Sequence, residues 1–319
     1  MQPTPGFPGD PRDRRDPGRL MRGERSLISG RSLEVEVLPL AGARLHRIRA
    51  FGHEMLRTPD EVELHHHEPF AWGGYVMAPW CNRLETTPTA VGDRIVRLDA
   101  NSVDGSAIHG QVYDRPWDET GPGKFRARGG GDGWPWRYEA TLEASVNGRR
   151  LGIELALTNL DDAAMPAGIG WHPWFVGPVE VRIPAGSVYR SNVASPPQPD
   201  PVLGPYDRRE LGPLAPDLDA TWTDLDGDAV ELLWPAAAIS GALRARAGLH
   251  GPGQRRDEDG AVGLCIVAAN LDLGAVAIEP QTHAPQGLRR LLAGEPDAMR
   301  FLEPGATLRL EIELTFKRA

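Results

Sequence analysis

The 319-residue chain contains only two cysteines, Cys81 and Cys265. They lie far apart and have no CxxC spacing, which argues against a zinc site or a disulfide framework. One disulfide between them stays open, and two reduced, partly buried thiols are the plainer expectation. No run of about 18 apolar residues occurs, so no transmembrane helix is expected. The N-terminus lacks the apolar stretch of a secretion signal. The formal net charge is -9, and no basic stripe with interleaved aromatics appears, so a nucleic-acid groove is not expected. These absences point to a cytoplasmic protein without nucleic-acid or membrane partners. Long helical periods, solenoid repeats and a linker that would cut the chain in two are missing as well.

What is present suits a sheet protein. Hydrophobic residues make up 40% of the chain, enough for a sizeable core, and 37 glycines and 30 prolines favour many turns between short strands. Residues 1–25 are rich in Pro, Gly, Arg and Asp and cannot bury enough surface to offset their ordering entropy, so a mobile tail is expected there. Met21 is a second possible start. From Leu27 onward, apolar and polar residues alternate. Leu33, Val35 and Val37 keep period two, as do Tyr138 to Val146, Leu151 to Leu157 and Leu308 to Phe316. That period puts one side of each strand on a core and the other toward water. Asn147-Gly148 is expected to supply the positive φ angles of a tight hairpin. The stretches 191–216 and 248–260 read as surface loops. The chain is therefore expected to be all-β, a large antiparallel sandwich, with residues 26–319 as one domain.

A few places carry unusual chemistry. Ile108-His109-Gly110 sets a histidine before a glycine. Gly170-Trp171-His172-Pro173-Trp174-Phe175 sets another among aromatics. Ala275-Val276-Ala277-Ile278-Glu279-Pro280 ends an apolar strand in a carboxylate. A buried carboxylate is costly unless it is paired or faces a polar cavity. Each of these alone has an ordinary structural reading. His65-His66-His67 with Glu68 reads as a solvated loop, because three consecutive side chains diverge. Asp224, Asp226 and Asp228 with Gly227 read as a plain turn, because the distal bidentate Glu of a calcium loop is missing.

Taken together, the segments resemble the aldose 1-epimerase (galactose mutarotase) family. The resemblance rests on Ala78-Pro79-Trp80-Cys81-Asn82-Arg83-Leu84, on Ile108-His109-Gly110 with Trp117, and on Gly133-Trp134-Pro135-Trp136. It continues through Thr158-Asn159 with Pro166 and Gly170–Phe175, then Leu218-Asp219 with Trp222, and Ala277-Ile278-Glu279-Pro280-Gln281-Thr282. The order spans nearly the whole chain after the tail. The resemblance implies a distorted supersandwich with a sugar cleft on a concave face, and an isomerase that interconverts α and β anomers of a free aldose. It implies Glu279 as general base and His172 as general acid. Asn82, Arg83, His109 and Asp219 are implied to hold the sugar. No cofactor and no metal are implied. Three departures stand out: Trp174 where Tyr is usual, Cys81 in place of a common Ala, and Ala220 after Asp219.

Ring opening needs a base at the C1 hydroxyl and an acid at the ring oxygen, and a fixed pair removes the need for both to arrive together. An ionised Glu279 facing a protonated His172 is therefore the expected resting state. The alternatives are an epimerase of a phosphorylated or other anionic sugar, and a non-catalytic carbohydrate-binding protein of the same fold. The histidine segment continues as Gln111 and Val112, unlike the Arg of phosphosugar-specific relatives, so neutral aldoses are expected. Arg47, Arg57 and Arg115 are the cations that could change that. Which of Trp80, Trp117, Trp171 and Trp174 would stack on a sugar is left open, as are the preferred sugar and the oligomeric state.

Overall fold

The computed structural model describes residues 25–319 except 132, 194, 226–228, 253–260 and 272. Among these residues, most of the chain forms two large antiparallel sheets of eleven and ten strands. The second sheet is built from the alternating segments. Trp134–Asn147 pairs with Arg150–Asn159, which pairs with Thr307–Arg318, which pairs with Ile239–His250. Leu142, Leu155, Leu310 and Leu314 from this sheet are buried in one apolar core with Val35, Ile48, Phe175 and Ile278 from the first. Phe175 meets Trp234 across the two sheets with ring centroids 5.7 Å apart.

The centre of the first sheet is covered on both faces. Its order runs Arg44–Ala50, Gly74–Met77, Gly170–Val176, Ala275–Gln281, Cys265–Ala269 and Asp219–Leu225. Every residue of Ala275–Gln281 is buried. Period two still sorts its side chains. Val276 and Ile278 enter the core shared with the second sheet. Ala275 and Ala277 pack with Trp174 and Ala269 in a separate cluster. Glu279 shares the face of that second set.

Several details depart from the sequence reading. The Asn147-Gly148 hairpin exists, but its two-residue loop is Gly148-Arg149, and Asn147 pairs with Arg150. Only Gly148 takes a positive φ, +63°, because pairing continues one residue further than expected. Gly248 to His250 extend the strand Ile239–His250, held by Thr307–Arg318 alongside, and residues 253–260 lie outside the described residues. So do residues 1–24 of the expected tail and Asp226, Gly227 and Asp228. Arg25 is described and pairs with Glu36 at 3.1 Å. The stretch 191–216 contains only short pieces: Asp200–Pro201, a 3-10 turn at Gly204–Tyr206, and Gly212–Pro213. Cys81 and Cys265 are buried free thiols. Among the described residues no helix is long and apolar enough to cross a membrane.

The histidine cluster is not a solvated loop. Leu64–His67 forms one helical turn, and that turn drives His65 inward. The His65 Nε2 lies 2.8 Å from Nδ1 of buried His46, which is also 2.9 Å from the Thr58 hydroxyl. Burial pulls the pKa of His46 down to about 3 and that of His65 down to about 2, with neighbouring arginines pushing the same way. The unfolded chain takes up protons on both rings near pH ~6.5, and the folded chain refuses them. Their stabilising contribution is thus full above that pH and is lost as the pH falls from there toward the folded values. A His65→Asn protein is expected to show a shallower fall in Tm between pH 7 and pH 4 than the wild type. Parallel Tm curves for the two proteins would contradict this account.

Candidate functional site

Four strands place one row of side chains across the face of the first sheet that lies away from the main core. Tyr75 pairs with His172, and Glu279 pairs with Val267. His172 and Glu279 meet directly, with Nε2 3.1 Å from Oε1. The Tyr75 ring stacks on the His172 ring, with centroids 4.5 Å apart and planes at 21°. His109 meets the same imidazole edge-on at 5.0 Å, and Trp174, two residues along the strand, packs at 5.1 Å.

Two loops close over one end of this row. Asn82 has φ +48° and His109 has φ +62°, left-handed positions that Asn and His tolerate better than most residues and that cluster at functional sites. The His109 N–H donates to the Asn82 carbonyl at 3.0 Å, and the Gln111 N–H donates to the Ala78 carbonyl at 2.7 Å. Gly110 makes this closeness possible. A Cβ there would lie 2.0 Å from the Ala78 oxygen, at a φ of +77°. From below, His283 holds the first loop. Its Nδ1 donates to the Ala284 carbonyl at 2.7 Å, which leaves Nε2 to accept the Cys81 N–H at 3.0 Å.

Arg83 is steered by two carboxylates. Its Nε donates to Asp104 at 2.7 Å, and its Nη1 lies 3.8 Å from Asp219. Burial would lift the Asp104 pKa, yet hydrogen bonds from Ser106 and Arg83 hold it below the usual range. Asp219 accepts a hydrogen bond from Asn192, whose own oxygen accepts from the Thr221 hydroxyl at 2.5 Å. Burial raises the Asp219 pKa, and Arg83 opposes the rise.

The result is a cleft of about 350 Å³ lined by Asn82, Arg83, His109, His172, Asp219 and Glu279, with Glu68, Tyr75 and apolar side chains along the rest of its wall. The size lies at the lower end of small-molecule sites. All six residues singled out from the sequence thus share one cavity. Of the four tryptophans left open, Trp174 lines it, while Trp80, Trp117 and Trp171 belong to the main core.

The expected charge state of the pair is reversed. Burial holds the Glu279 pKa well above the carboxylate range, with Asp219 adding to the rise and Arg83 opposing it. Burial also holds His172 well below the histidine range, with His109 pushing the same way. A protonated carboxyl against a neutral imidazole avoids burying two charges. Both shifts oppose an ion pair and favour a protonated carboxyl against a neutral imidazole. His109 is held neutral as well, down to about 3, by burial and by Arg83.

The sequence reading missed the residues that arrange this site. Tyr75 sits in a buried strand, Gly74–Met77, that has no alternation to single it out. Asp104 lies in a turn-rich stretch, and Asn192 falls in the long Pro-rich loop. Arg44 is not singled out either. It is buried, donates to the carbonyls of Trp72, Pro69 and Tyr113, and sits 4.8 Å from the Tyr75 ring centre.

Comparison with known proteins agrees with this architecture. A galactose mutarotase-like protein from Clostridium acetobutylicum superposes with a TM-score of 0.73 at 15% identity, over 92% of this chain and 95% of that one. A GalM/aldose epimerase homologue from C. elegans gives 0.73 at 18% identity, over 92% and 99%. A galactose 1-epimerase from Lactobacillus acidophilus gives 0.68 at 14% identity, over 92% and 94%. At these identities the likeness establishes the fold. A search of curated proteins finds no match. The aldose 1-epimerase family profile matches residues 26–226, and with that match over more than half its length the chain belongs to the aldose 1-epimerase family.

Proposed function

We propose that the protein is a mutarotase that opens and recloses the ring of a free aldose, with Glu279 and His172 moving the protons. The observation that carries the reading is the buried 3.1 Å contact between these two groups at the base of a sugar-sized cleft. Moving their one proton from Oε1 to Nε2 produces a carboxylate and an imidazolium. The carboxylate takes the proton of the C1 hydroxyl, the imidazolium gives its proton to the ring oxygen, and the C1–O5 bond breaks to leave the aldehyde. Rotation about C1–C2 and the reverse transfers close the ring on the other face. Each positioned proton transfer is typically worth ~10²–10⁴-fold. A purely binding protein has no need of this pair.

The charges in the cleft favour a neutral sugar. Glu68 and Asp219 line it beside the Glu279–His172 pair, against Arg83 alone among the described arginines and lysines. Arg47 is engaged by Glu54 and Asp60. Arg57 donates to the Leu273 and Ala71 carbonyls and stacks on Trp72. Arg115 reaches the Arg128 carbonyl at 3.5 Å. A phosphate would have to draw one of these away.

Three outcomes are expected. Glu279→Gln should lower kcat by at least ~10²-fold with a smaller change in KM. Near-normal anomer exchange by the folded variant would sink the mechanism. The pH profile of kcat/KM should show two limbs that belong to the pair. The acid limb, where the imidazole takes a second proton, should fall below the ordinary histidine value. The alkaline limb, where the last proton leaves, should fall well above the ordinary carboxylate value. His109, Asp219, Arg83 and Tyr75 surround the pair and set these positions. His172→Asn should leave one limb, and a wild-type acid limb at or above pH ~6.5 would show that His172 is charged at neutrality. Finally, glucose should be turned over with a higher kcat/KM than glucose 6-phosphate. A tenfold preference for the phosphate would refute the charge argument.

A further inference from the structure

The row of side chains that holds the reacting pair ends in a buried cation. Leu45 pairs with Gly74, and Tyr75 pairs with His172. Arg44, Tyr75 and His172 therefore stand side by side on three neighbouring strands. The Arg44 guanidinium lies over the Tyr75 ring, 4.8 Å from its centre, and the same ring stacks on His172 at 4.5 Å. His172 then meets Glu279 at 3.1 Å. All four side chains are buried.

Arg44 is held as a fixed charge. Its hydrogen bonds go to the carbonyls of Trp72, Pro69 and Tyr113, which orient a guanidinium without cancelling its charge. Burial lowers its pKa only to about 10, so it stays charged at neutral pH, with Tyr75, Asp114 and Tyr113 as the titratable groups around it. The imidazole of His172 is faced by Tyr75 from one strand, Glu279 from the other and His109 from a loop. Burial is the largest influence on its proton affinity, His109 follows, and Arg44 pushes the same way. Tyr75 lies between the two. Its ring face attracts a cation and also packs flat on an imidazole, while its hydroxyl has no hydrogen-bond partner among the described residues.

We propose that Tyr75 and Arg44 are positioning residues of the reaction: the Tyr75 ring fixes the plane of His172, and the Arg44 charge drives the imidazolium proton toward the substrate. The inference rests on the mutarotase reading above. A buried cation is screened far less than one in water. It disfavours every proton added to the Glu279–His172 pair, so both steps of the pair's titration lie at lower pH than they would without it. The ring oxygen of a sugar is a weak base, and a more acidic imidazolium gives up its proton to it more readily.

The test sets Arg44→Gln and Arg44→Met, which drop the charge, against Arg44→Lys, which keeps it, all in the full chain. NMR anomer exchange across a panel of neutral aldoses gives kcat/KM as a function of pH. The ¹⁵N shifts of the His172 ring follow its protonation without any sugar. Both limbs of the profile are expected to move to higher pH by about half a unit or more in the uncharged variants. They should stay near the wild-type positions in Arg44→Lys, and the ¹⁵N titration should move in the same order. Equal displacement in all three variants would assign the effect to packing and overturn the inference, as would no displacement in any. Mutarotation would stand in both cases. A second arm does not depend on those variants folding. Tyr75→Leu should lower kcat by about tenfold or more, because the imidazole loses the surface that orients it. Tyr75→Phe, which keeps the ring, should recover most of that loss, and equal kcat in the two would overturn the role of the ring. No turnover of any aldose by the folded wild type would instead remove the mutarotase reading, and the role in catalysis with it, even if the ¹⁵N displacement is present.

Discussion

The contact between a buried carboxyl and a buried imidazole is the constraint on which the site depends. Either group alone would be costly in a sheet covered on both faces, and as an ion pair they would still lose the water around two charges. As a neutral pair in contact they fit among apolar neighbours. The fit demands register. His172 must face Tyr75 on one side and meet Glu279 on the other, while Ile278 and Phe175 turn to the opposite face and enter the main core. A shift of one residue in either strand would exchange the two faces and put the pair into hydrocarbon.

The irregular chain around the cleft is held by buried guanidinium groups. Loops supply carbonyl oxygens that no ladder pairs, and each needs a donor. Arg44 satisfies the carbonyls of Pro69, Trp72 and Tyr113 from beneath. Arg290 does the same for Pro196, Pro197 and Pro285 and also bonds the Ser195 hydroxyl. Proline-rich segments lack N–H groups of their own, so a planar donor with five N–H bonds suits them. Arg57 works in the same way beside the cleft, joining the Ala71 and Leu273 segments. Arg44, Arg57 and Arg290 thus fasten loops, and Arg83 alone among the described arginines lines the cleft.

Fold and function are separable here. The sandwich is shared with distant relatives, while the proposed chemistry rests on the contact between Glu279 and His172. A cavity lined by Glu68 and Asp219, with Arg83 alone among the described arginines and lysines, is a different recognition surface from a phosphate site. Of the departures from the family pattern, Trp174 lines the cleft, while Cys81 and Ala220 are buried away from it, and Glu279 and His172 are both retained.

The all-β architecture was legible because period two marks the strands of the second sheet, whose outer face meets water. Leu308 to Phe316 and Tyr138 to Val146 needed no structure to be placed. The six site residues were legible only through the order of family-like segments, since a lone Glu279 at the end of a buried strand looks the same whether it meets a histidine or solvent. Periodicity could not say that His65 points inward, because one helical turn decides it. Nor could it say that Arg44 is buried under the cleft, because that depends on loops that arrive from far along the chain. The protonation of the Glu279–His172 pair was beyond the sequence for the same reason. It is set by how completely the folded chain removes water from both groups, and only the tertiary structure does that.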